Sequence, residues 1–296
     1  MGWGVKYAQQ LALLRVESLG AKVAIVELGE NVQASFKQAL DLIGGIADLN
    51  RVDRQVVVKL GVFNHKEETH STVPVVDAIA NSFGKAPKVF LAESDNYRGT
   101  GSARLQIWKE LFTDRVVPFN LSEDTETVET VVAGEKMALS HILFKPNVFV
   151  STHVLRVFEK GSVLKNLLGL TPTPKKARFH KVLDTLLLDL CEAVGGIDLA
   201  VLDGTYMYPG VAGAKARKRI RLNIIVVGKD AVAVEAVGVA IAGMDPSKMP
   251  VMREAVKRGL GEGDVGNIKV LGSSIEVQRE RVCQLLKKKR KPLSRK

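Results

Sequence analysis

Short apolar runs, each followed by a helical pattern, constrain this chain more than any other feature. "KVAIVEL" (22–28) reads as a strand, and "NVQASFKQALDLIGGI" as a helix ended by Gly44 and Gly45. "RQVVVKLGV" is a strand, "TVPVVDAIANSFG" a helix, "KVFLAES" a strand and "SARLQIWKELF" a helix. Strands rich in Val, Ile and Leu that alternate with helices need crossover connections. The predicted fold class is therefore α/β, a mostly parallel sheet with helices on both faces. The rhythm loosens over "LSEDTETVETVVAGEKMALSHILFKPN", which fits an antiparallel excursion or a connection between lobes. It returns with strands in "PNVFVSTHVL", "IDLAVLDG", "RLNIIVVG" and "NIKVLG". Helices are expected in "FHKVLDTLLLDLCEAVG", "DAVAVEAVGVAIAGM" and "PVMREAVKRGLG". The expected organisation is one α/β domain over residues 1–286, with lobes 1–120 and 146–286 as an alternative division. A disordered basic tail is expected over 287–296.

Charge separates the function classes once it is located. The chain of 296 residues carries a formal net charge of +11. The final "KKKRKPLSRK" and the segment "KARKRIR" (215–221) hold that excess, and the rest is close to neutral. Two basic clusters on a neutral body differ from the broad basic face of a dedicated DNA-binding domain. The tail predicts at most weak, salt-dependent nucleic-acid contact. No apolar run reaches the roughly 18 residues of a membrane helix, so no membrane partner is expected. The N-terminal twenty residues lack the apolar core and cleavage site of a secretory signal, which points to the cytoplasm. Cys191 and Cys283 are the only cysteines. They cannot supply the four thiolates of an iron–sulfur cluster, and they read as packing residues.

Chemistry-bearing residues fall where strands end. In α/β sheets ligands collect at the carboxyl ends of strands. Lys59, Glu93 with Asp95, His153, Asp203 and Asp230 all sit at such ends. Asp230 before "AVAVEAV" also fits a helix N-cap, and Asp203 before Gly204 a turn. In "YRGTGSARLQIW", Gly99 and Gly101 would let the backbone approach an anion. A plain turn with a Ser102 cap explains the same residues, and Arg104 occupies the third glycine place of a dinucleotide fingerprint. "NHKEETHST" places His65 and His70 in one loop with two glutamates, a donor set for a divalent metal that a polar loop also assembles by chance.

The most specific stretch is "STHVLRVFEKGSVLKNLLGLTPTPKKARFH" (151–180). Val163, Leu164, Leu167 and Leu168 form one apolar stripe on a short helix, stopped by Gly169 and Pro172. Lys165 and Asn166 lie off that stripe. They are either a solvated surface pair or a cation and an amide aimed into a cleft beside His153. His180 opens the next helix. The expectation is a shared pocket of His153, Lys165, Asn166 and His180, with Lys59 and Asp203 nearby. His153, Lys165 and His180 would be its catalytic groups, and the two histidines its alternative metal ligands.

These motifs together resemble a known family, domain of unknown function 362. The matching elements run from "KVAIVELG" to "NIKVLG". They include "VVVKLGVFN" with "THSTVPVVDAI", "FLAESD", "STHVL", "LKNLLG", "RFH", "AVLDG", "VGKDAVAVEAVGVAIAGMDP" and "GLGEGDVGNIKVLG". Three positions depart from the family pattern. Leu60 replaces a proline, Ser151 a lysine and Glu235 an aspartate. The family is often joined to ferredoxin-like cluster segments, which this chain lacks, and its fold is similar to the N-terminal region of the nickel-pincer lactate racemase. The resemblance implies an α/β fold and a shared site. It leaves open whether the chain is an enzyme, with isomerase-like or redox-linked chemistry, or a carrier of a metal or cofactor, or a nucleic-acid-associated binding protein. The leading expectation is an enzyme that binds a small carboxylate or phosphate substrate.

Overall fold

The computed structural model describes residues 20–62, 69–156, 159–208 and 219–290, with side chains up to residue 287. Ten strands and seven α-helices are formed among them. The strands are β1 (Lys22–Glu27), β2 (Val56–Leu60), β3 (Val89–Glu93), β4 (Val116–Asn120), β5 (Thr127–Val132), β6 (Glu135–Ser140), β7 (Val148–Arg156), β8 (Leu199–Tyr208), β9 (Ile220–Gly228) and β10 (Lys269–Gly272). The helices are α1 (Val32–Leu42), α2 (Val73–Ser82), α3 (Gly101–Leu105), α4 (Leu183–Ala193), α5 (Ala231–Ile241), α6 (Pro250–Lys257) and α7 (Ile275–Arg290).

Eight strands form one sheet in the order β10-β1-β9-β8-β7-β2-β3-β4. Only β9 runs against its neighbours, β1 and β8; the other pairs are parallel. The fold is thus α/β with a mostly parallel sheet. Strands drawn from residues 22–120 and from residues 148–272 share that sheet, and β1 pairs with β10 at the far end of the sequence. The acidic stretch after β4 contains the separate antiparallel hairpin β5–β6.

The pleat divides the core in two. Val56, Val58 and Leu60 of β2 pack with Phe36 of α1 and Val75, Val76 and Ile79 of α2. Val57 of β2, Phe149 and Leu155 of β7 and Leu202 of β8 pack on the other face, with α4, α5 and α6. Helix α5 is buried along its whole length, as its small residues require for close approach to the sheet.

Several elements differ from the expectations. The strand β4 went unrecognised because Pro118 interrupts it. It is an edge strand, where a missing N–H is tolerated. Residues 106–111 and 176–182 are 3-10 helix rather than α-helix. So are residues 165–170, the expected short helix after Ser162. Thr100, not Ser102, caps α3 by accepting from the Ala103 N–H at 3.2 Å. Cys191 is buried, but Cys283 is exposed. The expected tail begins inside α7, which runs to Arg290; residues 291–296 lie outside the described residues.

Candidate functional site

The carboxyl ends of β2, β3, β7 and β8 form one edge of the sheet. Lys59 pairs with Ala92 and Ser151, and His153 lies opposite Leu202, one residue before the Val154–Asp203 pair. Lys59, Glu93, His153 and Asp203 therefore lie within three register positions of one another, although β7 continues to Arg156 and β8 to Tyr208. Pleat alternation then separates them. His153 follows Phe149 towards the face of α4 and α5, whereas Asp203 follows Leu199 and Val201 towards α2.

Lys59 is fully buried and engages three acceptors. Its Nζ donates to Glu93 Oε1 at 2.9 Å, to the Leu60 carbonyl at 2.7 Å and to Asn166 Oδ1 at 3.1 Å. Glu93 Oε2 accepts from Arg104 Nη2 at 3.0 Å and from the Ser94 N–H at 2.6 Å. Arg104, also buried, donates to the Val62 and Ser94 carbonyls. Desolvation lowers the Lys59 pKa, and the adjacent Glu93 carboxylate opposes that. The residue with no side chain makes room for this cation: a Cβ on Gly169 would lie 2.5 Å from Lys59 Nζ.

Asn166 is buried as well. Its Nδ2 donates to the carbonyls of Lys59 (2.9 Å) and Thr152 (3.2 Å) and to Ser151 Oγ (3.2 Å). The amide thus laces the 3-10 turn to the ends of β2 and β7. Further along the same segment, Ser94 Oγ donates to the Gly169 carbonyl, and Lys176 Nζ donates to Ser94 Oγ at 2.9 Å and to the Thr171 carbonyl and hydroxyl. Burial brings the Lys176 pKa down to about 7. At the near end, Gly161 adopts φ 78° and places two following amides on the buried Glu235. Its Oε1 accepts from Ser162 N–H at 2.7 Å and its Oε2 from Leu164 N–H at 3.0 Å. A Cβ on Gly161 would meet that carboxylate at 2.6 Å.

His153 sits beside this strap. Its Nδ1 lies 3.2 Å from the Val154 carbonyl, which fixes Nδ1 as the protonated nitrogen of the neutral ring. Gly61 packs against the imidazole so closely that a Cβ would approach its Cδ2 to 2.3 Å. Desolvation first, then the positive charges of Arg156, Lys59 and Lys165, hold the His153 pKa well below its ordinary value. Lys165 is half-buried. Its pKa falls to about 8 through burial and through Arg156 and Lys160. Arg156 loses basicity on burial, and Glu235 partly restores it.

The other singled-out residues have local partners. Asp203 Oδ2 accepts from the Thr72 N–H and hydroxyl at 2.6 and 2.8 Å, and Oδ1 from the Thr205 N–H, so it pins the start of α2. Asp230 caps α5 through Ala233 N–H and also holds Glu262 N–H; burial raises its pKa. Asp95 accepts from Gly101 N–H and Asn120 Nδ2. Gly99 closes a turn with Asn96 at φ 147°, and a Cβ on Gly101 would strike Asn120. These contacts shape a turn whose cap is Thr100 rather than the expected Ser102.

The structure joins Lys59 to Glu93 and Asn166 by hydrogen bonds, and Lys59 and Lys165 are near enough to His153 for their charges to lower its pKa. His180 lies exposed in the 3-10 turn before α4, and among the described residues no hydrogen bond or ion pair joins it to the others. His70 Nδ1 lies 3.0 Å from the Ser71 carbonyl, and its ring meets Trp108 edge-on; His65 falls outside the described residues. No three His, Cys, Asp or Glu side chains gather as metal ligands among the described residues. His153 and His180 are not part of such a group, and the expected His65–His70 pair lies partly outside the described residues. Sequence reasoning missed Arg104, Arg156, Lys176 and Glu235. No helix among the described residues is long and apolar enough to cross a membrane. No curated protein matches the sequence. Residues 56–240, which carry the strap, His153 and Glu235, match the family described as Domain of unknown function (DUF362), and the chain belongs to that family.

Proposed function

We propose that the chain is a cytoplasmic enzyme that binds a small anionic substrate, a carboxylate or phosphate, at the carboxyl edge of the sheet beside His153. One observation carries this reading. A buried, neutral histidine with Nδ1 turned to its own strand stands among Lys59, Arg156 and Lys165. Low-dielectric cationic surroundings favour the negative form of a ligand, and they keep an imidazole lone pair available for proton transfer. Lys59 and Asn166 act from beneath. They hold the strap and add positive potential, and the Lys165 and Arg156 side chains supply the contacts to the anion. Titration of the full-length protein with inorganic phosphate and with oxalate, followed by calorimetry, tests the reading. At least one anion should bind, and Lys165→Ala should abolish binding while the melting temperature stays within a few degrees. Unchanged binding in Lys165→Ala removes the site from this edge.

A further inference from the structure

We draw no further inference here: the strongest candidate, the cavity of about 470 Å³ between the first turns of α1 and α2, is open to solvent at Glu30 and Asn31, its Asp77 carboxylate already accepts from Gln33 and Asn81, and nothing in the structure shows what covers it.

Discussion

At the scale of single residues, two kinds of polar side chain occupy the strand ends, and the sequence does not separate them. Lys59 and Asn166 look like ligand-binding groups in "VVVKLGV" and "LKNLLG", yet each is saturated by protein partners. Those partners lie 34 and 107 positions away, so only the fold reveals them. Gly61 is the residue whose role is clearest once His153 is in place. Gly61→Ala should displace the imidazole and cost about 1–3 kcal/mol, the usual penalty of overpacking. Denaturant unfolding measures the cost, and a shifted His153 resonance in a histidine NMR spectrum reports the displacement; an unmoved resonance would contradict the contact. The pH response follows from the lowered His153 pKa. As pH falls below about 6.5, the unfolded chain takes up a proton that the folded site refuses, so folding stability drops. His153→Gln should show a shallower loss of stability between pH 6.5 and 5 than the parent chain. Parallel curves for the two proteins would mean that His153 protonates normally in the fold.

At the scale of elements, strands with an uninterrupted apolar core and helices with a clear stripe were legible. Elements whose sequence carries a second instruction were not. β4 contains a proline that only an edge strand accepts, and β9 gives no sign of its reversed direction, because buried strands look alike in either sense. The strap over residues 161–171 is the extreme case. Its apolar residues suggest a helix, but its geometry comes from Gly161 and Asn166 within it and from Glu235 and Lys59, which belong to two other parts of the chain. Glu235 should therefore behave as a structural anchor. Its pKa is raised by burial, and its two amide partners partly counter that. Glu235→Ala leaves those amides and Arg156 without their carboxylate, which should cost roughly 3–5 kcal/mol. Urea unfolding measures this. A change below about 1 kcal/mol, less than one typical buried hydrogen bond, would mean that the strap finds other partners.

At the scale of the molecule, the α/β class was legible because alternation repeats along the chain, and repetition survives local errors. The charge asymmetry was legible too, but its structural setting was not. The basic run begins at Lys287, within α7. That helix is attached through residues that precede the run: Ile275, Gln278 and Val282 are buried, and Leu285 and Leu286 pack partly against the core. Lys287 is exposed. Deleting residues 287–296 therefore removes charge and leaves the buried attachment intact. The melting temperature should shift by no more than about 2 °C, the scale of a surface change in a domain of this size. Truncation before Gln278 should be far more damaging, because it exposes the face that α7 covers on α5. The same deletion takes away seven basic side chains. Any affinity for a mixed-sequence DNA duplex should fall steeply between about 50 and 200 mM salt, as counterion release requires, and should be largely lost in the truncated chain. Fluorescence anisotropy across that salt range measures both. Binding that survives high salt and the deletion would place a nucleic-acid surface on the folded body and would favour a nucleic-acid-associated function over the anion pocket.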